Sequence, residues 1–195
     1  MPAAKASKSA RKSTAKSTAT RAATAAKRAA AKRGPARPKA RKAASGRAHP
    51  KEATAMLRAD HKKVSDLFDA YEKARSTARK AELVSTICHE LKVHTRIEEE
   101  IFYPAVQAAL ADHELVPEAN VEHGSVKELI AQVEGRAPDG DLFDARIKVM
   151  SEWVKHHVKE EQNEMFPRAR KTRLDMIELG TRMAARKAEL LASGE

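Results

Sequence analysis

The chain has 195 residues, a formal net charge of +11 and a single cysteine. The charge is unevenly spread: residues 1–50 hold 15 Lys/Arg and no acidic residue, and the remaining 145 hold 23 Lys/Arg against 27 Asp/Glu, a net of −4. One cysteine excludes an intramolecular disulfide framework and a cysteine-based zinc site. No apolar run of about 18 residues is present to span a membrane, and no apolar segment near the start reads as a secretory signal, so a reducing cytoplasm is expected.

Residues 1–50 form the first expected domain, a Lys/Arg/Ala-rich basic tail. It contains 18 alanines and no Val, Leu, Ile, Phe, Tyr or Trp. Such a segment buries too little apolar surface to offset the entropy of ordering, and it is expected to be disordered. Its cations suit many phosphates at once, with release of their counterions, so DNA or another polyanion is the expected partner. No aromatic side chain is there to stack on bases, so binding should be electrostatic, weakly specific and salt-dependent. The composition resembles the Lys/Ala/Pro-rich tails of linker-histone-like bacterial proteins. A solubilising extension and an organelle transit peptide are competing readings, the second weakened by the lack of an apolar helix face after Met1.

From residue 52 apolar residues recur three and four apart, with no strand-like alternation. Met56, Leu57, Val64, Leu67, Phe68 and Tyr71 define one face of a first helix. Leu83, Val84, Ile87, Leu91, Ile101 and Phe102 mark a second, which Pro104 should kink or restart. A third runs through PEANVEHGSVKELIAQVEG and ends at Gly135 and the Pro138-Asp139-Gly140 turn. A fourth, DLFDARIKVMSEWVKHHVKEEQNEMFP, should stop near Pro167. These elements predict an all-α, up-down-up-down four-helix bundle over residues 51–170. Residues 171–195 add an amphipathic C-terminal helix, either packed on the bundle or making a dimer contact. Cys88 reads as a small buried residue.

The second and fourth helices share a pattern. Glu98 lies four residues after His94 and Pro104 ten after it; Glu161 and Pro167 stand in the same relation to His157. Four residues turn a helix by about 400°, so each His and Glu share a stripe, about 6 Å apart. His61, between Leu57 and Val64, and His123, before Val126 and Ile130, sit on the apolar stripes of the first and third helices. Ionised glutamate inside a bundle is costly unless paired or bound to metal. Imidazoles with carboxylates suit iron, manganese or zinc, and four His with two Glu exceed one tetrahedral zinc site. His89, His113 and His156 fall off the stripes and read as surface residues or outer neighbours of the ligands. Glu99, Glu100, Glu160 and Glu164 read as solvated.

The strings ADHKKVSDLFDAYE, HTRIEEEIFYP, EHGSVKELI and HHVKEEQNEMFP, in that order, resemble the hemerythrin-like HHE cation-binding family over residues 52–170. That resemblance implies a bundle around a non-haem di-iron centre that binds dioxygen or related oxidants. It makes His61, His94, His123 and His157 terminal ligands and Glu98 and Glu161 the bridges. Oxygen-carrying hemerythrin has a second histidine where Lys127 stands, and pairs its last histidine with an Asp five residues on rather than a Glu four on. About two histidines per iron remain, which favours redox reaction over reversible oxygen carriage. Manganese or a single ion are alternatives for so reduced a ligand set, and Glu90 is a candidate outer partner or substitute ligand. The expected function is binding or sensing of dioxygen, nitric oxide or peroxide by a protein tethered to DNA. A peroxidase- or catalase-like enzyme and a nucleoid-associated structural protein are the alternatives.

Overall fold

The structure is a computed structural model that describes residues 51–111 and 114–194. The expected tail disorder and His113 lie outside the described residues. Seven α-helices and two π-helical turns account for the described body, and there is no strand among the described residues. The helices are α1 Ala53–Lys73, α2 Thr77–Ile97, α3 Tyr103–Leu110, α4 Leu115–Val133, α5 Gly140–Glu160, α6 Phe166–Arg170 and α7 Met176–Ser193. The π-turns are Glu98–Phe102, between α2 and α3, and Glu161–Met165, between α5 and α6.

Local sequence sets several of these boundaries. Ser76 caps α2 by accepting from Arg79 N–H, and Asp175 caps α7 by accepting from Ile177 and Glu178 N–H. Tyr103 N–H bonds back to the Glu98 carbonyl and Phe166 N–H to the Glu161 carbonyl, each five residues earlier. The two prolines then fall in the first turns of α3 and α6, where a missing N–H is tolerated. Neither proline ends its helix. The expected stop near Pro167 is corrected to Arg170, because the π-turn gives the chain a place to take the pyrrolidine ring without losing the helix direction.

α1, α2, α4 and α5 run up, down, up and down, and the burial pattern shows it. One apolar cluster collects Leu57, Ile97, Ala119 and Met165; a second collects Val64, Leu91, Val126 and Met150. Along every helix the polar residue of interest falls between a member of one cluster and a member of the other. The core is therefore two apolar halves with a polar layer between them. α7 joins the first half through Leu179, Met183 and Leu190 and rests on α1 and α2. Gly180 permits that approach: a Cβ there would lie 2.8 Å from Ala53 N and closer still to the Lys51 carbonyl oxygen. Among the described residues no helix is long and apolar enough to cross a membrane.

Candidate metal centre

The polar layer holds all six residues that the sequence singles out. His61, His94, Glu98, His123, His157 and Glu161 are each at most 5 % exposed. They form two groups. His61 and His94 bring their Nε2 atoms to 3.0 Å, and His123 and His157 bring theirs to 3.2 Å. Glu98 Oε2 lies 3.1 Å from His94 Nε2 and 3.4 Å from His123 Nε2. Glu161 Oε2 lies 3.1 Å from His61 Nε2 and 3.6 Å from His157 Nε2. Each carboxylate thus touches one histidine of each pair. Two donors about 2.1 Å from one ion and at right angles lie about 3 Å apart, so these separations suit metal ligands.

Carboxylates set two of the four outward ring nitrogens. His157 Nδ1 donates to Glu122 Oε2 at 2.7 Å, and His123 Nδ1 donates to Glu99 Oε1 at 2.9 Å. His61 differs: its Nδ1 accepts from the Gln162 amide nitrogen at 3.1 Å, while Arg58 donates to that amide's oxygen at 2.8 Å. His94 Nδ1 faces Asp60 Oδ2 at 3.8 Å. An imidazole whose Nδ1 is occupied by a carboxylate presents Nε2 to the site, as metal-ligating histidines do.

Glu98 Oε1 and Glu161 Oε2 are buried without hydrogen-bond partners. Burial, reinforced by the charge of Glu161, pushes the Glu98 carboxyl well above its ordinary value. Burial works in the same direction on Glu161, but His61, His157 and His94 outweigh it and hold that carboxyl at about 2. Without a cation the two buried carboxylates are therefore driven to hold a proton between them. Burial lowers His94 to about 4, leaving it a neutral ring able to offer a lone pair. Unsatisfied carboxylate oxygens beside the neutral His94 ring are donors that a divalent cation wants.

Several neighbours differ from their sequence reading. Glu99 is not a solvated residue: its carboxylate sits between His123 and Lys127, with Lys127 Nζ at 2.6 Å, and the His123 hydrogen bond first among its contacts lowers it to about 2. Lys127 consequently faces away from the centre. Glu90 is corrected from a substitute ligand to a partner of Lys63, at 2.6 Å, because its side chain turns to the α1–α2 seam. His89 is half-buried and His156 is exposed. Cys88 is buried, and burial raises its thiol to about 11.

Tyr103 is the residue the pattern did not reveal. Its hydroxyl lies 3.2 Å from His123 Nε2, 3.3 Å from His157 Nε2, 3.2 Å from Glu161 Oε1 and 3.5 Å from Glu98 Oε2. Burial and the two carboxylates push the phenol well above its ordinary value. Phe166, in the matching position after the other π-turn, instead stacks on His61 with centroids 5.9 Å apart. The two halves of the centre share their backbone and differ in this hydroxyl as well as in the groups behind their histidines.

A buried His/Glu layer across an antiparallel bundle defines a helical cation-binding protein. The hemerythrin HHE cation-binding domain family matches residues 52–169, and the chain belongs to that family. It is 27% identical over 111 residues to a DNA nickase of Nostoc sp. (strain PCC 7120), a match that takes 57% of this chain and 31% of that protein. The chain thus spans less than a third of that relative's length. The crystal structure of a hemerythrin HHE cation-binding domain-containing protein from Mycobacterium kansasii shares the fold. Its TM-score is 0.64 at 24% identity, over 73% of this chain and 89% of that one.

Proposed function

We propose that this chain is a non-haem di-iron protein that binds or senses dioxygen, nitric oxide or peroxide. In this reading residues 1–50 hold it on DNA or another polyanion, in the cytoplasm and beside the nucleoid. The observation that carries the reading is the pair of histidine pairs sharing two buried carboxylates. Iron, when bound, supplies redox chemistry and an open coordination position.

The protein's own side chains supply the rest. Asp60, Glu99, Glu122 and Gln162 orient the rings from behind. Beside the histidines lies a cavity of about 20 Å³, walled by Val64, Leu91, Val126, Val154 and Val158. About 10–15 Å³ by this measure holds one water, so a diatomic-sized molecule fits and a larger substrate does not. Its valine and leucine walls exclude bulk water from the reacting end.

Metal analysis of the aerobically purified chain tests the centre. About two irons per chain are expected, lost in a His61→Ala/His157→Ala variant. Two manganese or one ion per chain would correct the metal, and no bound metal would overturn the reading. The tether is tested on duplex DNA with the full chain and with residues 51–195. The full chain should show an affinity falling steeply with salt, and the shortened chain almost none. Equal binding by both would remove the tail from the account.

Tyr103 favours a second reading, a peroxide-directed oxidoreductase at the same centre. Its buried hydroxyl can hold or pass a proton between His123, His157 and Glu161. Tyr103→Phe should then retain metal and lose about 10²-fold in peroxide turnover. Turnover that survives His94→Ala and His157→Ala would exclude this reading.

A further inference from the structure

A second cluster of ligating side chains stands on the flank of the bundle. Glu122 on α4 and His156 and Glu160 on α5 bring one donor atom each within 4.8 Å of the others. His156 Nε2 lies 3.2 Å from Glu160 Oε1 and 3.5 Å from Glu122 Oε1. The cluster is offset by one residue from the inner centre. Glu122, His156 and Glu160 each immediately precede an inner residue: His123, His157 and Glu161. One step along a helix is about 100°, so the inner member of each pair points into the bundle and the outer member meets its counterparts at the α4–α5 seam.

Glu122 belongs to both sites. Its Oε2 accepts from His157 Nδ1 at 2.7 Å, which leaves Oε1 directed at His156. Carboxylates elsewhere on these seams are neutralised by basic residues: Glu90 by Lys63, Glu99 by Lys127 and Glu100 by Arg186. Among the described residues, the ion pairs of Glu122 and Glu160 are with histidines alone. The His156 side chain is 60% exposed, which leaves room for water to complete a coordination shell. Beside it opens a cleft of about 450 Å³, where Glu118 and Glu152 add negative charge around Trp153.

We propose that Glu122, His156 and Glu160 form an outer site for one divalent first-row transition ion, joined to the inner centre through the Glu122 carboxylate. One imidazole and two carboxylates suit Mn²⁺, Fe²⁺, Co²⁺ or Zn²⁺ more than Mg²⁺ or Ca²⁺. A rigid two-helix platform holds the three donors. The open side allows exchange with solvent, unlike the enclosed inner centre.

Trp153 is the chain's only tryptophan and lines the same cleft, so its fluorescence reports locally. The experiment is a Co²⁺ titration of tag-free full-length protein, first with the inner centre saturated with iron, then metal-free in a His61→Ala/His94→Ala background. One further ion per chain is expected, quenching Trp153 in both forms. Glu160→Gln and His156→Ala, both at the surface, should weaken that binding at least tenfold while leaving the inner iron count of the otherwise unchanged chain intact. No quenching up to millimolar Co²⁺, or quenching indifferent to both substitutions, would overturn the outer site. Failure of the chain to load iron would bear on the inner centre only, because the second form reads the outer site without it.

Discussion

Lys187 on α7 donates to Asp60 Oδ1 at 2.6 Å, and the other oxygen of that carboxylate faces His94 Nδ1 at 3.8 Å. The C-terminal helix therefore reaches the metal centre through two side chains. Burial works to raise the Asp60 carboxyl, but His94 and Lys187 outweigh it and hold it below its ordinary value. Asp60 is thus an anion behind His94, and both Asp60 Oδ2 and His94 Nδ1 are buried without a hydrogen-bond partner. A small movement of the ring would join them.

Asp60→Asn should accordingly weaken metal retention by about 10–100-fold, the usual cost of losing a carboxylate behind a ligating histidine. Lys187→Met should have a smaller effect in the same direction. Chelator competition on the loaded chain measures both. Unchanged retention in Asp60→Asn would mean that His94 needs no such partner.

Glu98 and Glu161 trade stability for metal. Two buried carboxylates share a site, and in the metal-free chain the pair is driven to hold a proton. Glu98→Gln supplies an uncharged group of the same shape. The metal-free variant should melt several degrees higher than the metal-free parent at pH 8, where keeping Glu98 protonated costs most. It should also lose most of the rise in Tm that metal gives the parent. Thermal melts with and without chelator decide this, and a metal-free variant less stable than the parent would show that the pair is not in conflict.

The six inner residues were legible because ligands on helices obey a fixed angular step. His94 with Glu98 and His157 with Glu161 need only four-residue spacing, and His61 and His123 need only their place among apolar neighbours. Tyr103 was hidden by the same rule. On an uninterrupted α-helix nine residues turn about 900°, which puts Tyr103 opposite His94. The π-turn Glu98–Phe102 unwinds that register and returns the hydroxyl to the centre. The recurring interval from His to Pro was its one trace in the sequence. Glu99 and Glu122 were obscured for another reason. Their partners lie on other helices, and a charged residue beside a ligand reads as solvated until the helices are placed.

Gly180 governs whether α7 can lie where it does. A methyl group there would press on the Lys51 carbonyl oxygen and Ala53 N, both backbone atoms, so the chain itself would have to shift. Gly180→Ala should destabilise the fold by about 1–3 kcal/mol, against a gain in helix propensity of at most about 1 kcal/mol. Loss of protection in α7 by hydrogen exchange should accompany it, with Leu179, Met183 and Leu190 leaving the core together. A stabilised variant would mean that the N-terminal end of α1 shifts at little cost.

At the far end of the bundle Asp144 on α5 ties α1 and α2 together. It accepts from Lys80 at 2.7 Å and from the Tyr71 hydroxyl at 2.6 Å. The Lys80 hydrogen bond, with that of Tyr71, lowers the Asp144 carboxyl. Its contribution to stability is therefore present above the unfolded value of about 3.9 and lost as pH falls through the lower folded value. Tyr71 has the opposite sign of shift: burial, then the Asp144 contact, raises its phenol. That contribution is present below the unfolded value of about 10 and lost as pH rises through the higher folded value. Asp144→Asn removes the first effect and the Asp144 part of the second, leaving the part that burial causes. Between pH 5 and 9 it should cost about 1 kcal/mol or less, since the carboxylate is half-exposed and salt screens it. The gap between parent and variant should close on the acid side below about pH 4 and, on the alkaline side, only as folded Tyr71 ionises, well above about pH 10. Denaturant unfolding of both chains across that range measures the gap directly, and a difference that stays constant with pH would show that packing, not charge, holds this end of the bundle.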